Sequence, residues 1–247
     1  MKKLVFMGVS ALMVASSSVF ADDGVIRMRA GVSSNSFDTL WSGGDLKTDY
    51  TSLNLGLSYI TESQWYYDAA YKTDTSATWN TRELSPDFND GKDEDYGRRD
   101  LTLTVGKVLE NGVALFIGYQ NSAATMALPV NTWQAAGYVS EEKFDVKGFY
   151  FGVGRSFSVG DGSLNLNASY GKMDGELVDA SGFRNEGDDG KGYSLGLAYT
   201  YVLGSNTSLT FEAKRQSYSY EYDSEFILLT GGDDNMTTFG INLNYQI

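Results

Sequence analysis

The feature that most restricts what this chain can fold into is an alternation of apolar and polar residues, unbroken over its last nine positions and repeated along most of its length. Phe239, Ile241, Leu243, Tyr245 and Ile247 alternate with Gly240, Asn242, Asn244 and Gln246. Successive side chains of a strand point to opposite faces, so this segment shows one apolar and one polar face. It separates a greasy phase from a wet one, and that greasy phase is either a protein core or a membrane.

The first residues bear on this choice. Met1-Lys2-Lys3 is a basic start, Leu4 to Ala15 is apolar, and Val19 and Ala21 are small residues at the positions a signal peptidase reads. The pattern predicts a secretory signal peptide over residues 1–21, followed by a single domain over 22–247. Its apolar run is too short for a membrane-spanning helix. The chain has no cysteine, which excludes a lipid-anchored lipoprotein and any disulfide. Two prolines, 28 glycines, 17 tyrosines and a net charge of -13 suit a strand-rich protein with tight turns and argue against a nucleic-acid partner.

After the signal segment no apolar run is long enough for a spanning helix, which leaves a closed barrel as the one way to cross a bilayer. Alternating segments fall near residues 24–36, 49–60, 64–75, 97–109, 112–122, 144–158, 163–174, 191–203, 207–221 and 236–247. Short connections occur at Thr61-Glu62-Ser63, Glu110-Asn111-Gly112, Gly160-Asp161-Gly162 and Gly204-Ser205-Asn206, all rich in turn-forming residues. Long ones lie near 37–48, 76–96, 123–143, 175–190 and 222–235. The expected fold is all-β: an up-and-down antiparallel transmembrane β-barrel of ten strands, with short periplasmic turns and long extracellular loops.

Two further patterns favour lipid over a protein core. Tyr59, Trp65, Phe157, Tyr201 and Tyr245 fall near one end of their strands, while Tyr71, Tyr119, Tyr170, Tyr193 and Phe239 fall near the other. Such girdles bracket an aliphatic band where amphipathic rings meet a lipid interface. The opposite face carries amide, glycine and a few charges, including Asn165, Asn167, Ser169 and Gly171, a better lumen than a water-facing surface.

With these features the chain resembles the bacterial outer-membrane β-barrel proteins of the Gram-negative cell envelope, including porin-like members. The resemblance is architectural and spans residues 22–247. It implies insertion into outer-membrane lipid by the barrel-assembly machinery, which reads a C-terminal strand ending in an aromatic residue. Phe239, Ile241, Leu243 and Tyr245 match that strand, and Ile247 departs from its aromatic ending.

Interior positions should hold Arg27 and Arg29 on the first strand, Tyr66, Asp68 and Lys72 on the third, Arg98 and Asp100 on the fourth, and Glu212, Lys214 and Gln216 on the ninth. Counting from the periplasmic ends puts Arg27, Arg29, Asp68 and Glu212 at similar heights. Two readings remain open: charge pairing that holds the barrel together, or, with Lys214, the constriction of a narrow channel. Inward glycine, serine and asparagine on strands two, seven, eight and ten should leave space.

The long loops are acidic, with Glu83, Asp87, Asp90, Asp93, Glu94 and Asp95 in one, Glu176, Asp179, Glu186, Asp188 and Asp189 in another, and Asp223, Glu225, Asp233 and Asp234 in the last. They should concentrate small cations at the mouth. The stretch from Asp87 to Asp95 is a poor match to a calcium loop, because Gly91 is misplaced and the terminal glutamate is missing, so neither metal nor cofactor is expected. The chain also has no histidine, which removes the Ser-His and Asp-His arrangements of outer-membrane hydrolases. The function expected is a monomeric, non-enzymatic barrel. It is either a narrow cation-favouring channel or a closed structural or adhesive barrel acting through its acidic loops.

Overall fold

The computed structural model describes residues 24–41, 44–80, 93–127, 141–178, 182, 184–222 and 232–247. The expected signal peptide and the loop residues Glu83, Asp87, Asp90, Asp179, Asp223 and Glu225 lie outside them. Ten strands follow in order: β1 (Val25–Trp41), β2 (Gly44–Ile60), β3 (Trp65–Asn80), β4 (Asp93–Val108), β5 (Val113–Ala127), β6 (Glu141–Val159), β7 (Gly162–Val178), β8 (Arg184–Val202), β9 (Thr207–Tyr222) and β10 (Gly232–Gln246). Each pairs antiparallel with its neighbours in sequence, and β1 also pairs with β10, closing the sheet into a barrel. Arg27 stands beside Ser58 on one side and Gln246 on the other, and Ile247 exchanges backbone hydrogen bonds with Ile26 at the seam. No open strand edge remains in the ring, which is what an apolar medium demands of a sheet.

All ten expected strands are present, and their turn ends agree with the sequence reading. In the turn after β2, the Gln64 amide donates to the Thr61 carbonyl and Gln64 takes a φ of 65°. The Gly112 amide closes the next turn on the Leu109 carbonyl at a φ of 76°, a left-handed conformation that glycine adopts without strain.

The loop ends differ from expectation. Much of the stretch expected as a long loop at 37–48 is paired strand, with pairing continuing from Phe37 opposite Thr48 to Trp41 opposite Gly44. Strand pairing likewise runs through much of 175–190, up to Val178 opposite Arg184, and Ala127 faces Glu141 across β5 and β6. These extensions are hard to read because a strand that has left the membrane no longer needs an apolar outer face. The strands are 15 to 19 residues long, whereas about 9–11 residues cross a bilayer. The surplus forms a tall rim carrying the register shifts at Thr73/Ala77, Met173/Gly175 and Asp188/Lys191.

Burial is inverted relative to a water-soluble protein. Phe149 is 73% exposed and Leu195 is 65% exposed on the outer wall, while Asp100 and Gln120 inside have no exposed surface. A continuous apolar belt of this extent needs lipid or another apolar cover.

Inside, glycines act as seats for large side chains of neighbouring strands. The Arg29 guanidinium lies over Gly56, the Tyr66 ring over Gly106, the Tyr150 ring over Gly118, the Phe116 ring over Gly152 and the Tyr218 ring over Gly192. The room left by inward glycines is therefore taken. A β-carbon added at Gly106 would stand 2.5 Å from Tyr66 ring atoms. Gly106→Val should lower unfolding stability by about 1–3 kcal/mol, the usual cost of overpacking, measured by denaturant titration of the barrel in lipid vesicles with heat-modifiable gel migration reporting closure.

Candidate functional site

Among the described residues the lumen gathers most of the buried polar side chains, arranged in three levels. At the turn end, β1 and β3 place Arg29 and Asp68 in a buried ion pair of 3.4 Å. Asp68 Oδ1 also accepts a hydrogen bond from Ser58 at 2.5 Å, and Arg27 donates to Gln246 Oε1 at 3.4 Å. Beside this group, Tyr66, Phe116 and Tyr150 form an aromatic pad. The Phe116 and Tyr150 rings meet edge to face at 6.2 Å, and the Tyr150 hydroxyl is 2.5 Å from Thr104 Oγ1.

The middle level is an amide, hydroxyl and charge network. Lys72 on β3 donates to Asn35 Oδ1 on β1 and to Thr238 Oγ1 on β10. Thr238 in turn donates to Asn35 at 2.9 Å. Gln120 on β5 donates to Ser122 Oγ at 2.8 Å and to the Tyr218 hydroxyl on β9 at 3.1 Å. The Tyr218 hydroxyl also accepts from Gln216. β5 and β9 are separated by three strands around the ring, so the Gln120–Tyr218 contact crosses the bore.

The loop-end level is largely apolar, built mainly of aromatic and methionine side chains, whereas the sequence pattern points to an interior of charge and amide rather than aliphatic bulk. Phe37, Tyr50, Tyr96, Met126, Val146, Met173 and Met236 join Tyr218 in one buried cluster. The Arg98 guanidinium sits 4.3 Å from the centroid of Phe37 and donates to the Tyr96 hydroxyl at 3.2 Å, and its backbone amide donates to Asp74. Tyr50 donates to Met236 Sδ across the β2 to β10 side. Parity is the signal for these residues, each on an inward position of its strand: Tyr50, Val146, Met173 and Met236 fall within the expected strands, whereas Phe37, Tyr96 and Met126 lie just beyond them, where polar neighbours conceal the alternation.

Every residue assigned to the constriction points inward, yet they do not form one cluster. Arg27, Arg29 and Asp68 come together at the turn end. Glu212 instead packs against Gly240 and is coupled electrostatically to Lys72 and Lys214, which also lie near Asp100. Register explains the split. Arg29 pairs with Asn244 of β10, whereas Glu212 pairs with Gly240, whose partner on β1 is Ser33, four residues further along. The bore thus holds two mixed-sign groups at different heights. Lys214 Nζ has no hydrogen-bond partner among the described residues.

Removing one partner of a buried ion pair strands the other charge. Asp68→Ala should therefore cost about 3–5 kcal/mol, read as a lower denaturant midpoint of the vesicle-embedded barrel, while Asp68→Ala combined with Arg29→Met should recover much of the loss.

No protein-family model and no curated protein sequence matches the chain. Similar solved structures include the outer-membrane protease OmpT of Escherichia coli, with a TM-score of 0.59 at 15% identity, covering 94% of this chain and 99% of that one. They also include the translocator domain of the autotransporter NalP of Neisseria meningitidis, at a TM-score of 0.46, 11% identity and 89% and 88% coverage. A third is the outer-membrane protein OprG of Pseudomonas aeruginosa, at a TM-score of 0.36, 13% identity and 92% and 98% coverage. The likeness to OmpT is one of fold. With a closed antiparallel ring, an apolar outer belt and a polar interior, this chain has the fold of the bacterial outer-membrane β-barrels.

Proposed function

We propose that this protein resides in the outer membrane as a closed, non-enzymatic barrel and acts as a structural or adhesive element through its acidic rim and loops. The observation that carries this reading is the bore itself. Gln120 and Tyr218 meet across it, and Asp100, Thr102, Gln120 and Thr210 have no exposed surface. Side chains fill the middle of a ten-stranded interior, in keeping with its position near the filled end of the barrel series. The rim carries exposed Asp49, Glu141, Asp145, Asp174 and Glu186, a surface that attracts basic partners and cations. The absence of histidine and cysteine from the chain supports a non-catalytic role. Entry through the barrel-assembly machinery and a monomeric state in lipid complete this reading.

A second reading, a narrow porin-like channel favouring cations, draws on one feature. Charges of both signs line the bore, and Lys214 Nζ is a buried cation that lumenal water would satisfy. Arg27, Arg29, Asp68, Glu212 and Lys214 would then be its constriction.

Planar-bilayer recording separates the two. The closed reading expects silence from protein whose heat-modifiable migration proves it folded. Stepwise cation-favouring conductance would replace it with the channel, and conductance unchanged in Arg29→Ala would then reject the constriction. For the rim, replacing residues 81–92 and 128–140 by short Gly-Ser linkers should abolish adhesion of expressing cells to extracellular matrix without altering gel migration. Undiminished adhesion would remove the loops from the function.

A further inference from the structure

The outer wall of the barrel holds a cleft of about 680 Å³ at the base of the rim. Two adjacent cross-strand rows of outward side chains build it. In the lower row Tyr71 neighbours Leu101, then Asn121, Lys147 and Asp174, passing from β3 to β7. In the upper row Arg99 neighbours Ala123, then Asp145, Glu176 and Glu186, passing from β4 to β8. The short side chains of β5 and the paired Gly175 and Gly187 hollow the wall between longer neighbours.

The chemistry changes in order along these rows. Tyr71 and Leu101 belong to the apolar belt. Arg99 and Lys147 come next, and neither is in an ion pair among the described residues. Carboxylates follow: Asp145, Asp174 and Glu186 are exposed, while Glu176 is held by Arg184 at 3.3 Å. Successive strands stand about 4.8 Å apart, so Lys147 is one strand spacing from Asp174 and Arg99 two from Asp145, while Lys147 and Asp145 are neighbours on one face of β6. Just below the cleft runs a string of aromatic contacts on the same wall, Tyr119 with Phe149 at 5.3 Å and Tyr170 with Tyr193 at 5.1 Å. Rings of this kind mark the depth at which lipid headgroups begin.

We propose that this cleft seats the headgroup of a zwitterionic phospholipid, an ethanolamine phosphodiester. Its phosphate lies between Arg99 and Lys147, its ammonium lies against Asp145 and Asp174, and its acyl chains run down over Leu101 and the aromatic girdle. A purely anionic headgroup would meet the carboxylates one strand away, and a purely cationic one would meet Arg99 and Lys147. A phosphate followed by an ammonium matches both, over a span close to the strand spacing. The continuity of the cleft with the apolar belt selects a membrane lipid over a soluble phosphoester. The inference rests on the membrane-barrel reading and is independent of whether the bore conducts.

The test uses the full barrel in detergent, with native mass spectrometry counting retained lipid. Phosphatidylethanolamine should survive collisional activation that strips phosphatidylglycerol and N-acetyl phosphatidylethanolamine, both of which lack the ammonium, with retention at least about fivefold higher, equivalent to roughly 1 kcal/mol. Arg99→Gln with Lys147→Gln should lose this retention, and Asp145→Asn with Asp174→Asn should reduce phosphatidylethanolamine to the phosphatidylglycerol level. Equal retention of the three lipids by the unaltered protein overturns the proposal without recourse to any variant. Displacement of the lipid by equimolar soluble phosphoethanolamine overturns the lipid source. Heat-modifiable migration accompanies each sample, and its absence from the unaltered protein would sink the barrel reading itself, a result distinct from failed lipid selectivity.

Discussion

The structure depends on one constraint: in an apolar medium each backbone amide and carbonyl must find its partner within the sheet. Among the described strands that requirement is met by a ring in which β1 pairs with both β2 and β10. The ring then fixes the chemistry of each face. Lipid on the outside admits leucine, phenylalanine and tyrosine along the belt, and the small enclosed volume must accept whatever the alternate positions carry. This is why Arg98 and Asp100 are buried while Phe149 and Leu195 are exposed.

Ten strands enclose a space that side chains can nearly fill, and this chain fills it with unequal partners. Glycines at 56, 106, 118 and 152 yield volume to Arg29, Tyr66, Tyr150 and Phe116 from neighbouring strands. Charges are gathered into two groups of mixed sign, with Arg29 on Asp68 near the turns and Lys72, Lys214, Asp100 and Glu212 further along. Hydrogen bonds such as Gln120 to Tyr218 then tie opposite walls together. An interior of this kind works against bending of the barrel wall, which leaves the rim as the part free to specialise.

The same strands perform a second task above the membrane. There they no longer need an apolar outer face, and the outward positions change from leucine and tyrosine to lysine, arginine and then carboxylates. The order of these residues along cross-strand rows is a property of the sheet register, and it places phosphate-binding and ammonium-binding groups on one wall at headgroup depth.

Alternation in the sequence determined the class of fold, the number of strands, the four tight turns and which residues of each strand face inward, because side-chain parity is a local property of extended backbone. It also marked Arg27, Arg29, Asp68, Lys72, Arg98, Asp100, Glu212, Lys214 and Gln216 as interior. The tertiary structure alone decided which of them meet. Closure imposes a stagger between strands, so equal counts from the turns are not equal heights, and Glu212 falls with Lys72 and Lys214 instead of with Arg29. The apolar loop-end cluster of Phe37, Tyr96 and Met236 and the ring seats at Gly106 and Gly118 were hidden for the same reason: they are contacts between strands, and parity along a single strand carries no information about its neighbours' register.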